Sequence, residues 1–188
     1  MQSSAAGSFV LSPKSGRAIW SHGVLMHFKA VGEGVGGRFW LAEVSAAKGS
    51  GPPMHVHSNE DELWYVLGGE VSFFIGDDVA TVGPGSVVCG PRDVPHTYKV
   101  ESPTARLFGL ATPAGFEHFF RESSRPAETL TVPPQMSSPD MASVDAELGR
   151  LGTRIVGPLP AGAPRGAGRL EARIEALLRR GCTQTPTY

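Results

Sequence analysis

The chain of 188 residues has little cysteine, no excess of charge of one sign, and no long apolar run. Its two cysteines, Cys89 and Cys182, lie far apart, which excludes the disulfide framework of small secreted domains. No run of about eighteen apolar residues occurs, so no membrane-spanning helix is predicted. A net charge of −1 gives no general basic surface for nucleic acid, and we expect no nucleic-acid partner.

The sequence also indicates where in the cell the protein is expected. The first residues, M-Q-S-S-A-A-G-S, lack a charged segment followed by an apolar stretch, so no secretory leader is predicted. We therefore expect a reduced, cytoplasmic protein in which Cys89, within an apolar strand, is buried and inert. Charge is uneven along the chain, since residues 150–188 contain seven Arg and two Glu. We interpret this segment as a solvated basic tail.

What the sequence does contain is a series of short strands separated by turn residues, which predicts an all-β protein. Residues 38–45 alternate between apolar and polar positions. Segments 62–67 and 70–75 are predicted to form a hairpin joined by Gly68 and Gly69, because glycine accepts the positive φ of a tight turn. Further strands are expected near 86–90, 96–101 and 104–111. Strands at this spacing are typical of an antiparallel barrel or sandwich.

The character of the sequence changes after about residue 125. We predict a barrel over residues 1–125, with the first twenty or so residues peripheral, and an extension over 126–188 that packs on the barrel or on a second subunit. Four prolines within 126–139 indicate an extended connector. A short helix is predicted over 140–151, with Asp140 as its N-cap. A second amphipathic helix is predicted where Leu170, Ile174, Leu177 and Leu178 repeat at helical spacing.

Four side chains are placed to bind one metal ion: His55, His57, Glu62 and His96. In a strand, alternate side chains share a face, so His55 and His57 project together, about 6–7 Å apart. Glu62 can fold back across the intervening polar loop, and His96 can close the site from a neighbouring strand. Three imidazoles and one carboxylate suit Fe, Ni, Mn, Cu or Zn, and they do not suit calcium or magnesium. The sequence therefore predicts one divalent transition metal ion.

These residues carry a resemblance to the cupin superfamily. The first cupin motif, G-x5-H-x-H-x4-E-x6-G, is matched without exception at Gly49, His55, His57, Glu62 and Gly69. The resemblance implies a cupin jelly-roll β-barrel over about residues 20–125. It also implies a homodimer.

The second cupin motif, G-x5-P-x-G-x2-H-x3-N, is matched at Gly85, Pro91 and His96. Asp93 stands where the family has glycine, and Val100 where it has asparagine. Because aspartate tolerates a left-handed backbone, we expect the turn at Asp93 to survive. Val100 is not a ligand position, so its substitution leaves only the end of the strand in doubt.

Aromatic residues near the ligands are predicted to form the substrate pocket. Counting by twos places Trp64 on the face of Glu62 and Tyr98 on the face of His96. Phe74, Trp40 and Phe108 are further candidates for the pocket. An apolar pocket with one metal ion and few polar groups suits a flat, hydrophobic ligand that carries oxygen.

Within the cupins, the segment H-x-H-x4-E-L-W-Y-V-L-G-G-E and residues 113–120 resemble small single-domain proteins similar to quercetinases. Those enzymes are dioxygenases that open the heterocyclic ring of flavonols with O₂. The resemblance implies a metal-dependent dioxygenase of secondary metabolism that acts on an aromatic, flavonol-like or polyketide-like enol. Glu62 would take the proton of the enol, which requires a raised pKa or a loosened metal bond.

Two other functions remain open at this stage. The same ligands serve cupins that act without oxygen, as cyclases, isomerases or decarboxylases, where the metal ion holds an enolate as a Lewis acid. A third possibility is a cupin that binds a small molecule without turning it over. An assay without O₂ separates the first two, and measurement of bound metal bears on the third.

Overall fold

The computed structural model of the protein describes residues 8–134 and 140–162, and these residues form twelve strands and three short helices. The predicted helix around residues 170–178 and Cys182 lie outside the described residues. The strands are β1 Arg17–Ser21, β2 Val24–Ala30, β3 Trp40–Ala47, β4 Met54–His57, β5 Asp61–Gly68, β6 Val71–Ile75, β7 Asp78–Val82, β8 Val87–Gly90, β9 His96–Val100, β10 Thr104–Thr112, β11 Arg125–Pro126 and β12 Thr153–Gly157. The helices are α1 Gly32–Val35, α2 Glu117–Glu122 and α3 Met141–Arg150.

The strands form two antiparallel sheets that enclose the core. The larger sheet has the order β11-β1-β2-β3-β10-β5-β8, and the smaller has the order β12-β4-β9-β6-β7. Alternation explains why these segments are strands: along β3 every second residue, beginning with Trp40, is buried. The inner faces meet in a core that includes Trp64, Val66, Phe73 and Leu107. The prediction of an all-β fold is confirmed.

The predicted hairpin of 62–67 with 70–75 is wrong, although both segments are strands. β5 pairs with β10 and β8 in the larger sheet, whereas β6 pairs with β7 and β9 in the smaller one. The Gly68-Gly69 pair is therefore a corner between sheets. Gly69 has φ of +83°, and a Cβ there would lie 2.4 Å from the Thr104 carbonyl oxygen. The glycine pair predicted where the chain turns, but it did not predict which strands pair.

Both departures from the second cupin motif are accommodated by the backbone. Asp93 has φ of +62°, the left-handed conformation expected of it, and its N–H donates to the His57 carbonyl at 2.7 Å. Val100 ends β9 in a buried position. Its N–H donates to Ser50 O at 2.9 Å and its carbonyl accepts from Gly49 N–H at 2.8 Å. The strand end is thus intact without asparagine.

The described part of the C-terminal extension joins the barrel. Asp140 caps α3 as predicted, with its side chain accepting from Ala142 N–H at 3.2 Å. β12 then pairs antiparallel with β4, so that Thr153 lies opposite His57 and Ile155 opposite His55. The extension therefore lies against the strand that carries two of the candidate ligands. The division into residues 1–125 and 126–188 remains a prediction.

The expectation that Cys89 is buried was wrong. It lies on β8, at the edge of the larger sheet, and its side chain is exposed beside Val87 on the outer face. Alternation in an edge strand placed Val88, not Cys89, in the core. Among the described residues, no helix is long and apolar enough to cross a membrane.

Candidate metal centre

Three strands bring the four predicted ligands together. His55 of β4 lies directly opposite His96 of β9, and His57 follows two residues later on the same face of β4. Glu62 reaches the same point from β5 in the other sheet. All four residues are buried, and their ligand atoms lie within 4.8 Å of one another. The structure thus assembles the set that the motif predicted.

One carboxylate oxygen is the meeting point of the three imidazoles. The Oε2 atom of Glu62 lies 3.3 Å from His96 Nε2, 3.7 Å from His57 Nε2 and 3.9 Å from His55 Nε2. The Nε2 atoms of His57 and His96 are buried and have no hydrogen-bond partner among the described residues. Buried polar atoms are normally paired, so these two unpaired nitrogens indicate a site that binds a ligand.

Two of the imidazoles are oriented by their own strands. Nδ1 of His55 lies 2.8 Å from the Pro53 carbonyl, and Nδ1 of His96 lies 2.8 Å from the Val94 carbonyl. A carbonyl oxygen only accepts hydrogen bonds, so each Nδ1 carries the proton and each Nε2 presents a lone pair to the centre. This arrangement is common for metal-bound histidine, because the second nitrogen fixes the ring and its tautomer.

His57 is oriented by two side chains instead. Its Nδ1 lies 2.9 Å from Thr153 Oγ1 and 3.4 Å from Glu60 Oε2. Both partners are almost fully buried, with exposed fractions of 1% for Thr153 and 3% for Glu60. The nearby Glu60 carboxylate favours a proton on Nδ1, which Nδ1 can donate to Thr153 Oγ1, and this tautomer directs the Nε2 lone pair of His57 to the centre. Glu60 is therefore part of the site, whereas an ordinary loop acid would be solvated.

Electrostatics favour the deprotonated form at two of the ligands, His55 and Glu62. Burial lowers the pKa of His55 to about 4 despite the nearby Glu62 carboxylate. For Glu62, burial alone would raise the pKa, but the adjoining imidazoles of His96, His57 and His55 outweigh it and the pKa is lowered. For His57, burial is outweighed by Glu60 and Glu62, which raise its pKa. Metal ligands must be deprotonated, so a metal ion at His57 would compete with a proton.

The four donor atoms suit a transition metal ion. Three imidazole nitrogens with lone pairs directed inwards and one ionised carboxylate are the ligands that such ions prefer. The four residues could therefore hold one ion. Its identity among Fe, Ni, Mn, Cu and Zn, and its binding, remain predictions.

A cavity of about 600 Å³ extends from the centre. This volume lies within the range of about 300–1,000 Å³ typical of small-molecule sites. His55 and Glu62 form its inner end together with Thr153. Most of the wall is apolar, as in Met26 and Val44. A ligand in this cavity would have its polar group at the metal centre and its body against hydrocarbon.

Three of the five predicted pocket residues line this cavity, namely Trp64, Tyr98 and Trp40. Burial beside Glu62 raises the pKa of Tyr98, so its hydroxyl stays protonated and able to donate.

The prediction for Phe74 and Phe108 is corrected, since neither lines the cavity. Phe73, not Phe74, lies opposite Tyr98 on the inner face of β6, with its ring 5.4 Å from that of Trp64. Phe108 lies opposite the exposed Tyr65, on the outer face of β10. A shift of one residue along a strand moves a side chain to the other face.

Several lining residues were not predicted. Phe116, Phe119 and Phe120, in and just before α2, cover one side of the cavity. Their spacing of three and four residues is that of one helix face, a signal that the sequence did contain. Val144, Leu148 and Ile155 of the C-terminal extension cover another side. Their position depends on the pairing of β12 with β4, which no local pattern reveals.

Comparison with known proteins agrees with this architecture. Residues 42–108 match the Cupin_2 family, described as the cupin domain. The chain is 25% identical over 120 residues to Quercetin 2,3-dioxygenase from Bacillus subtilis (strain 168). This alignment covers 64% of the chain but only 36% of that relative. The matched region therefore spans about a third of the relative's length.

Two solved structures have a similar fold. KdgF from Halomonas sp. has a TM-score of 0.52 at 18% identity, covering 60% of this chain and 98% of that one. An RmlC-like cupin from Shewanella frigidimarina NCIMB 400 has a TM-score of 0.50 at 16% identity, covering 61% and 99% of the two chains. The predicted resemblance to cupins in fold is confirmed.

Proposed function

We propose that the chain, in which residues 42–108 match the cupin domain, is a metal-dependent dioxygenase that oxidises a flavonol-like or polyketide-like enol with O₂. The observation that carries this proposal is the buried cluster of three imidazoles and Glu62 at the inner end of an apolar cavity. The similarity to a quercetin dioxygenase supports the choice of flavonols as first substrates.

His55, His57, His96 and Glu62 would hold the ion. When bound, a divalent ion of this type would supply Lewis acidity, which makes a hydroxyl of the substrate more acidic.

The residues of the chain would bind and orient the substrate. Trp64 and Tyr98 lie side by side, with ring centroids 6.4 Å apart, and offer an aromatic surface next to the centre. The apolar wall excludes water from the enol, which strengthens electrostatic interactions there. The protonated Tyr98 hydroxyl can donate to a carbonyl oxygen of the substrate.

Glu62 would accept the proton of the enol on the carboxylate oxygen that does not hold the ion. Its pKa is lowered, so the carboxylate is ionised and ready to accept at neutral pH. This role was expected to require a raised pKa or a loosened metal bond, and the pKa is not raised. A weak base suffices only if the substrate hydroxyl is itself made more acidic, so the proposal ties the proton transfer to a metal-loaded site.

Replacement of Glu62 tests the proton transfer. Glu62→Gln should lower turnover of a flavonol by roughly 100-fold or more, because the amide cannot accept the proton. Bound flavonol and bound metal should be measured on the same samples, with rates expressed per metal ion. The matched control is Glu70→Gln, at an exposed position, which should turn over like the parent. Unchanged turnover in Glu62→Gln contradicts the assignment.

Oxygen dependence tests the class of reaction. Under nitrogen, a dioxygenase should bind flavonol without consuming it, and admission of air should start turnover with uptake of one O₂ per substrate. Turnover without O₂ would instead support a cyclase, isomerase or decarboxylase. Binding of enols with no turnover in either gas would support a non-catalytic binding protein.

A further inference from the structure

A row of aromatic rings lines one wall of the cavity. The ring of Phe116 meets the ligand His57 edge-on at a centroid distance of 4.6 Å. Phe116 stacks on Phe119 at 5.7 Å and 18°, and Phe119 stacks on His22 at 5.3 Å and 10°. His22 is exposed and also lines the cavity, so it lies at the rim. We call Phe116, Phe119 and His22 the aromatic wall. It leads from the metal centre to the rim in successive ring contacts.

His22 stands in a tight turn at the rim of the cavity. His22 and Gly23 form the two-residue connection between β1 and β2, since Ser21 pairs with Val24. Both residues have positive φ, +49° at His22 and +83° at Gly23. Asparagine, aspartate and glycine are the usual choices in such a turn. Histidine also adopts positive φ more readily than most residues, so the turn accommodates His22, and its role follows from the contacts of its side chain.

The imidazole of His22 is anchored on one side and open on the other. Its Nδ1 lies 2.8 Å from the Oγ atom of Ser21, a fully buried residue. Nε2 has no hydrogen-bond partner among the described residues. If the serine donates to Nδ1, then Nε2 carries the proton and donates; if the serine accepts, Nε2 accepts. A hydroxyl group complements Nε2 in either state, because a hydroxyl both donates and accepts.

Between the two ends the cavity offers mainly hydrocarbon. Met26, Val44 and Leu148 line it there, and the phenyl rings of the aromatic wall provide a flat surface. Polar groups lie at the metal centre and around Ser21 and His22, and Trp40 adds an indole N–H that has no partner among the described residues. A ligand that fits this distribution is long, planar and aromatic, with a polar group at each end.

We infer that His22 binds a phenolic hydroxyl at the end of the substrate remote from the metal centre. This inference rests on the proposed function and narrows its substrate class. Substrates should carry an enol and, on a ring remote from it, a phenol, within a planar aromatic body that lies along the aromatic wall. His22 is then a specificity-determining residue and takes no part in the reaction itself.

The test compares two ligands that differ in their phenolic hydroxyls. 3-Hydroxyflavone carries only the enol hydroxyl, on its central ring, whereas quercetin also carries phenolic hydroxyls on its two outer rings. Affinities are measured by titration calorimetry on metal-loaded protein under nitrogen, so that nothing is consumed. The variant His22→Gly removes the imidazole and keeps positive φ accessible. The control His118→Ala changes an exposed histidine of α2 that does not line the cavity.

For quercetin, His22→Gly should weaken binding by roughly five- to tenfold, the effect of one lost hydrogen bond. For 3-hydroxyflavone it should change binding by less than about twofold, and the control should match the parent with both ligands. Equal losses for both flavonols, or no loss for either, would overturn the inference. If the parent binds 3-hydroxyflavone but not quercetin, the inference fails and the proposed function stands. If the parent binds neither, the proposed function fails together with the inference.

Discussion

The histidines of the metal centre are held in two different ways. His55 and His96 each bind a backbone carbonyl two residues earlier in the chain, at 2.8 Å in both cases. His57 instead lies against Thr153, which is 96 residues away in the sequence, and against Glu60. Two ligands are therefore supported locally, and the third depends on how the C-terminal extension packs.

The position of each histidine within its strand explains the difference. His55 and His96 stand at strand starts, so the carbonyl two residues earlier belongs to a proline-rich segment outside the ladder. His57 ends β4, and the residue two positions before it is His55, which is paired with Ile155 on one side and His96 on the other. With that stretch of backbone engaged in the sheet, His57 relies on side chains. The barrel strands thus supply two oriented ligands, and the extension completes the third.

The largest effect is expected from a substitution that disturbs the contact between the C-terminal extension and β4. Gly152 has φ of +77°, and a Cβ there would lie 2.5 Å from Asn59 Nδ2 and 2.6 Å from Ser58 Oγ. Gly152→Ala should lower the free energy of unfolding by about 2–3 kcal/mol and weaken metal binding. Urea unfolding and metal titration measure the two effects.

The control for this variant is Gly149→Ala, in the exposed last turn of α3, where a Cβ meets nothing within 4 Å. It should raise the free energy of unfolding by roughly 0.5–1 kcal/mol, since alanine favours a helix over glycine. Metal affinity in Gly152→Ala equal to that of the parent would show that His57 does not need the extension.

A finer test removes a single bond to His57. Thr153→Val keeps the shape of the side chain but loses Oγ1, which lies 2.9 Å from His57 Nδ1. Because groups that orient a ligand tune its affinity, metal binding should weaken by roughly tenfold. Competition with a chelator of known affinity measures this.

Thr97→Val is the matched control, because Thr97 is also a fully buried strand threonine and donates to the Pro52 carbonyl at 2.6 Å. It should lower the free energy of unfolding by about 1 kcal/mol without changing metal affinity in the folded protein. If both threonine variants lose metal equally, the loss reflects general destabilisation and the special role of Thr153 is contradicted.

The smallest effect is expected for a substitution near His96, a ligand that is oriented by its own backbone. Asp61 accepts from the Arg92 side chain at 2.7 Å and from its N–H at 2.9 Å, tying β5 to the segment before His96. Both side chains are about two-fifths exposed. Asp61→Asn should therefore cost only roughly 0.5 kcal/mol of unfolding free energy. Metal affinity should stay within about twofold, because His96 is oriented by its own backbone.

This pair also predicts a dependence on pH. The hydrogen-bonded Arg92 lowers the pKa of Asp61 from 3.8 to about 2. A lowered pKa in the folded state gives stability that is present above pH 4 and is lost as the pH falls towards 2. The stability of Asp61→Asn should fall less than that of the parent across this window, with exposed Asp77→Asn as the control. Parallel curves for parent and variant would contradict the assignment.

The regularity of strands made much of the molecule predictable. Alternation located β3, β5 and β10, and the spacing of His55, His57, Glu62 and His96 located the cluster. Alternation does not reveal which strands pair, so the prediction of a hairpin at Gly68-Gly69 was wrong. Alternation also does not reveal which face a side chain occupies in a fully buried strand. β6 is apolar at every position but Ser72 and gives no alternation to count.

The sequence by itself determined which residues could form a metal centre, because side-chain period and donor chemistry are local properties. It also determined the turns, as at Asp93, because φ preferences belong to single residues. Only the tertiary structure decided that Thr153 and Glu60 orient His57, that Phe119 and His22 line the cavity, and that β12 pairs with β4. Apart from the contact of Glu60 with His57, those contacts join residues far apart in the chain, and their partners are set by the packing of the whole barrel.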